Sequence, residues 1–211
     1  MTQAIHSKLI NAAAREILAP MGVRQKGRSR LWYDDHGWWL ILVEFQPSGF
    51  SRGTYLNVGV NWLWSNFGYF AFHEGHRVES FVEFEMEEQF NREAHRLAER
   101  AAQQVRAYRD TFHSIEVVAD FLAAKAHKGG WTLYQAAVAA GICGRRADAS
   151  KFFDMLSREP SHAEWHEDLK QRAVELSKSL QDLSDFRGRV NELIANARNQ
   201  LRLKEWPSEF F

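Results

Sequence analysis

The chain reads as an α+β protein: a four-stranded antiparallel β-meander packed on an N-terminal helix, followed by a mostly helical C-terminal half. Three observations predict this class. Apolar residues recur at helical spacing near the N-terminus, the period drops to two between about residue 28 and residue 86, and it returns to the helical value from residue 87 onward. The connections within the period-two region are too short for parallel crossovers, so its strands must pair antiparallel. The same change of period divides the sequence into a sheet domain over 1–86 and a helical region over 87–211, expected to pack on the sheet or on itself as one compact unit.

Ile5, Leu9, Ala13 and Ile17 place a first helix near 4–19, and Pro20 with Gly22 supplies its stop. A hairpin follows, with DDHG as the turn between strands near 28–34 and 38–46. PSGFSRG is a loop. In TYLNVGVNWLW, alternation puts Thr54, Leu56, Val58, Val60, Trp62 and Trp64 on one face and Tyr55, Asn57, Gly59, Asn61 and Leu63 on the other. A glycine inside a strand marks a bulge or a close approach of another group, which makes Gly59 a position to watch. After SNFGYFAFHEG, expected as a loop, RVESFVEFEM is a fourth strand with Val78, Val82, Phe84 and Met86 on one face and glutamates on the other.

From Glu87 the spacing of Phe90, Ala94, Leu97, Ala101, Val105 and Tyr108 predicts a long amphipathic helix, with two glutamates at its dipole-favoured start. Ser114 caps a further helix that ends in a Lys-rich segment and paired glycines. WTLYQAAVAAGICGRRADASKFFDMLSRE forms two short helices around a Gly- and Arg-containing turn. Leu169, Ala173, Leu176, Leu180, Leu183, Val190, Ile194, Ala197 and Leu201 then fall on a heptad seam that SDFRG at 184–188 is expected to kink or split. Such a seam needs a partner helix, either the 87–110 helix or the same 169–201 segment of a second molecule, so a protein partner or a homodimer is expected here.

Composition excludes several classes. At 45% hydrophobic and 26% charged residues the chain is not disordered, and eight Trp with fifteen Phe are material for a core. Twenty-seven basic residues balance twenty-seven acidic ones, so no global field steers the protein to nucleic acid or to an anionic membrane. The one cysteine, Cys143 in GICGRR, can neither staple a fold nor hold a metal alone; beside Arg145 and Arg146 it is either an activated thiol or a small buried residue at a helical turn. The N-terminus lacks a signal-like apolar region, and the longest strongly apolar run, WWLILV, is six residues. A cytoplasmic protein with no membrane partner is expected.

Signatures of chemistry are sparse. HEGH at 73–76 and HAEWH at 162–166 are the close histidine pairs; the second puts His162 and His166 one helical turn apart, but two ligands are short of a zinc set. Neither a nucleophile elbow, a P-loop, a dinucleotide glycine fingerprint nor a C-x-x-C pair occurs, so no catalytic residue, cofactor or metal site is assigned. Glu83 and Glu85 share a strand face as acid/base pairs do, and an exposed acidic edge explains the same letters. Arg24, Lys26, Arg28 and Arg30 alternate into the first strand beside Trp32 and Tyr33, an arrangement that can hold phosphates and stack a base, or can protect a sheet edge.

The N-terminal helix running into LAPMGVRQKGRSRLWYDDHG, the strand end FQPSGFSRG and the strand TYLNVGV resemble the bacterial family catalogued as domain of unknown function 4304, over roughly residues 5–64. That family's pattern is a helix, a "G-F-basic-G-basic, aromatic" strand, an "F-Q-x-S" strand end and a "Y-x-N-x-G" strand. The resemblance implies an α+β domain and transfers no catalytic residue; Arg28, Gln46, Ser48, Asn57 and Gly59 are the matching positions. With Arg30 and Asn61 added for their chemistry, the candidate ligand-binding set is Arg28, Arg30, Gln46, Ser48, Asn57 and Asn61. Gln46 lies across a loop from the two asparagines, so register decides whether the amides meet. The expected function is a non-catalytic protein- or ligand-binding module of the immunity or regulatory kind. The alternative is a nucleic-acid or nucleotide-handling protein using the Arg24–Arg30 strand.

Overall fold

The computed structural model describes residues 4–161 and 163–211, and its elements follow the predicted α+β order. Helix α1 spans Ile5–Leu18 and buries Ile10, Ala13, Ala14 and Leu18, while Ile5 stays exposed. Both apolar stripes of this helix face inward in part: Ile10, Ala14 and Leu18 are fully buried, and along the 5–9–13–17 line Ala13 is fully buried while Leu9 and Ile17 are half-buried. A short turn over Ala19–Met21 ends it at Gly22, whose φ of 87° is left-handed and whose N–H reaches the Ala19 carbonyl at 2.9 Å.

Five strands, not four, form the sheet: β1 Arg24–Gln25, β2 Leu31–Asp35, β3 Trp39–Gln46, β4 Gly53–Trp62 and β5 Glu74–Glu83, in that order across the sheet and antiparallel throughout. The extra strand is two residues long, too short to carry a period. It pairs Arg24 with Tyr33 and Gln25 with Trp32. Between β1 and β2 the chain turns at Gly27, where φ is +57°, so the expected continuous basic strand is a hairpin.

Register assigns the two faces. Leu56, Val58, Val60 and Trp62 of β4 lie opposite Phe45, Val43, Ile41 and Trp39 of β3, and all eight are buried. Helix α2, Glu87–Thr111, docks on this face: the Arg109 Nε donates to Asp34 Oδ2 at 2.8 Å, and Arg96 Nη1 to Glu79 Oε1 at 2.9 Å. Its stripe of Phe90, Ala94, Leu97, Ala101 and Val105 is fully buried, as its spacing predicts. The alternation expected for β5 is reset by irregularities where Thr54, Leu56 and Asn57 meet it. As a result Glu79 falls opposite Leu56 on the helix-covered face and Arg77 opposite Asn57 on the other, while Met86 lies exposed past the strand end.

Contacts divide the chain into two compact units. One holds the described residues up to Trp62 with Phe70–Asp110; the other holds Leu63–Tyr69 with Thr111–Phe211. Helix α2 therefore groups with the sheet, and the change of period at residue 87 falls inside the first unit.

In the second unit α3 (Ile115–Lys125) starts at Ser114, whose Oγ accepts the Val117 N–H. Helix α4 (Trp131–Ile142) is buried along its whole length from Leu133, and α5 (Arg146–Arg158) returns beside it. The heptad segment forms two helices, α6 (Glu164–Ser177) and α7 (Leu183–Leu201). Its break lies at Lys178–Asp182, ahead of SDFRG, because Asp182 Oδ1 accepts the Ser184 N–H at 2.8 Å and caps α7. Phe186, inside the expected break, is buried against Gly141, where a Cβ would sit 2.5 Å from its ring. The seam is spent inside this unit: Leu169, Ala173, Leu176, Val190, Ile194, Ala197 and Leu201 are buried, with α4 and the turn over Leu63–Ser65 as the neighbours of α7. Of the seam residues Leu183 alone is well exposed. Among the described residues no helix is long and apolar enough to cross a membrane.

Candidate functional site

The face of the sheet opposite α2 brings two of the predicted amides together. Gln46 pairs with Tyr55 and Glu44 with Asn57 across β3 and β4, which puts all four on one face beside Arg77 of β5. Asn57 Nδ2 donates to Glu44 Oε2 at 3.0 Å and to Gln46 Oε1 at 2.9 Å. Arg77 donates to the same Gln46 oxygen at 3.2 Å and lies 4.0 Å above the Tyr55 ring, which itself meets Phe81. The amides thus satisfy one another and hold a guanidinium flat against an aromatic ring.

The other predicted residues go elsewhere. Asn61 is on the same face but 2% exposed, and its Nδ2 finds no partner among the described residues. Ser48 is a loop residue whose Oγ accepts the N–H of Phe50 at 3.1 Å and of Ser51 at 3.3 Å. Arg30 braces the fold, donating to Ser7 Oγ at 3.1 Å and to the Gly53 carbonyl at 3.1 Å. Arg28 is exposed in the β1–β2 turn. Lys26 lies 5.0 Å over the Phe70 ring, and Trp32 is buried. The four alternating cations therefore do not line one strand face, because the turn at Gly27 points them apart.

One histidine of each pair, His73 and His166, is hydrogen-bonded into the fold. His73 precedes β5 and His76 lies in it. The His73 Nδ1 accepts the Trp62 backbone N–H at 2.9 Å, a bond open only to the neutral ring, and burial brings its pKa down to about 4. Between pH 6.5 and 4 the unfolded chain therefore binds a proton that the folded chain does not, so stability falls as pH falls through that window. Urea unfolding should show a loss of about 2–3 kcal/mol over this range, largely removed in His73→Gln. A stability flat from pH 7 to 4.5 would refute the assignment.

His162 lies outside the described residues, so the pair with His166 is not defined. His166 is tied to Glu159, with Nε2 to Oε2 at 3.0 Å, and the same carboxylate accepts the Gly130 N–H at 2.8 Å. Among the described residues no group of three potential ligands forms a metal site. Cys143 caps α4 half-buried, and burial raises its thiol pKa despite Arg145 and Arg187, opposite to an activated thiolate. Glu83 ends β5 and Glu85 lies beyond it, both exposed.

Pattern reading missed an open groove of about 760 Å³ in the second unit. Trp64, Ser65, Asn66 and Tyr134 line it together with Asp168–Leu176 residues of α6 and Arg189–Asn196 residues of α7. Its base is fixed by a buried relay: the Trp64 Nε1–H donates to Gln135 Oε1, and Gln135 Nε2 donates to Ser65 Oγ. Tyr134 is 2% exposed, and burial pushes its phenol up to about 12, so it remains a neutral hydroxyl. Leu176 and Leu193 give apolar surface, ringed by Asp168, Arg172, Glu175, Arg189 and Glu192. Arg189 is held by Asp185 at 3.2 Å and Glu175 by Lys178 at 2.6 Å. The groove depends on where the heptad segment breaks, and the Asp182 cap is the local signal that marks it. No family model, no curated protein and no solved structure matches this chain.

Proposed function

We propose that the chain is a non-catalytic binding module, a partner protein of the immunity or regulatory kind, and that its helical unit seats a segment of another protein in the groove lined by α6 and α7. One observation carries the reading: the groove combines a rigid aromatic and amide base, an apolar centre at Leu176 and Leu193, and a rim of both charge signs. Apolar centre within polar rim is the anatomy of a protein-recognition surface, and its volume lies in the range of binding clefts. The rim charges are screened by solvent and set orientation more than affinity. Membership in the domain of unknown function 4304 family, drawn from the motifs of residues 5–64, belongs to the same proposal and adds no activity to it.

Asn196 is exposed on the groove wall and bonded only to Asn66 Oδ1, at 3.2 Å. Filling the groove by Asn196→Trp should leave thermal unfolding unchanged and weaken a partner captured by the unmodified chain about tenfold or more. A partner bound equally by both chains, or a chain that stays monomeric and retains no protein, would contradict the proposal.

A further inference from the structure

A second site lies in the sheet unit, independent of the groove. We propose that the cleft between α1 and the β1–β2 turn binds the phosphoryl group of a small ligand. The cleft, about 230 Å³, is lined by Lys8, Asn11, Arg15, Gln25, Gly27 and Arg28. Three of these six are cations and none is a carboxylate. Among the described residues Lys8 and Arg28 make no ion pair, and Arg15 donates only to Gln25 Oε1, at 3.3 Å. Gln25 is anchored in turn, its Nε2 donating to the Ser29 carbonyl at 2.7 Å, so the Arg15 guanidinium is positioned rather than loose.

Asn11 is the second, independent observation. It is 6% exposed, lines the cleft, and its side chain makes no hydrogen bond to a described residue. The orphaned atom is the acceptor Oδ1, which only a donor can satisfy; the P–OH hydroxyl of a singly protonated phosphoryl group supplies that donor while its other oxygens accept from the cations. The backbone N–H groups of Gly27 and Arg28 also donate to no described residue, and Gly27 holds the left-handed conformation found where successive N–H groups gather around an anion. In a chain of zero formal charge, three cations brought together without a carboxylate repel one another until an anion joins them. A planar guanidinium beside an ammonium suits tetrahedral phosphate oxygens, and the volume admits one phosphoryl group and not a run of nucleotides. The site uses Arg28 but not the basic strand expected from sequence; Lys8, Asn11 and Arg15 come from α1.

Amide NMR titrations of the full chain with inorganic phosphate and with phenyl phosphate, at constant ionic strength set by chloride, test this. Saturable shifts are expected at Lys8–Arg15 and Gln25–Ser29. Tighter binding of free phosphate or of the ester each supports the site and identifies its source. Lys8→Gln and Arg28→Gln, both exposed and unpaired, should fold as the parent does and weaken binding about tenfold each. Linear shifts reproduced by chloride, or variants that bind as tightly as the parent, overturn the proposal. A DNA oligonucleotide bound more tightly than phosphate, with an affinity falling steeply with salt, overturns it in favour of a polyanion surface. Groove variants such as Asn196→Trp should leave phosphate binding untouched.

Discussion

Gly59→Ala should destabilise the sheet unit by about 3 kcal/mol or more in urea unfolding. A Cβ at this position would sit 2.2 Å from the Glu74 carbonyl oxygen and 2.7 Å from the Phe72 ring. The ring can swing away, but the carbonyl belongs to β5, so the strand itself must move. Its neighbour Gly75 faces Gly59 across the ladder, and a Cβ there would meet the Gly59 Cα and the Val58 carbonyl at 2.5 Å. The two strands approach closely because neither carries a side chain at that point. Gly49, with nothing within 4 Å of its added Cβ and no left-handed φ, is the control; Gly49→Ala should fall within about 0.5 kcal/mol of the parent. Equal effects of the two substitutions would refute the close approach.

Asp34→Ala should cost about 3 kcal/mol, toward the lower end of values for breaking a buried pair because Arg109 keeps some solvent. Asp34 is 6% exposed and accepts from His36 Nε2 at 2.7 Å and from Arg109 Nε at 2.8 Å. Removing it strands a guanidinium whose Nη2 still donates to the Met21 carbonyl at 2.7 Å. Burial alone would push the Asp34 carboxyl up, but the hydrogen bonds and charges of His36 and Arg109 outweigh it and hold the pKa below its ordinary value. Its contribution is thus complete above the unfolded pKa near 3.8 and is lost as pH falls through the lower folded value. That window lies below the one set by His73, so the two acid losses separate: Asp34→Asn should flatten stability below about pH 4 and leave the His73 slope intact. A parent chain whose stability does not change below pH 4 would contradict the pairing.

Where a pattern repeated over several residues, it was legible. The alternation of Leu56, Val58, Val60 and Trp62 marks the helix-covered face, the stripe from Phe90 to Val105 marks the buried side of α2, and Gly59 stands where backbones meet. Features decided by one or two residues were not. β1 has only two residues, the β5 irregularities move Glu79 and Arg77 to opposite faces without altering composition, and Asp182 breaks the heptads where SDFRG looks the better breaker. Gln46 and Asn57 were readable as polar positions, but their meeting with Arg77 depends on register, which a local pattern does not contain. The groove has no local signature at all, since Trp64, Tyr134, Arg172 and Leu193 converge from four separate segments.

Hydrogen exchange of the full chain, free and bound to the partner it captures, tests the central claim most directly. Protection should appear at residues 64–66, 168–176 and 189–196, which line the groove, with the strand segment around Tyr55 and Asn57 unchanged. Protection confined to that strand segment and to Arg77, with the groove segments exchanging as in the free chain, would contradict it.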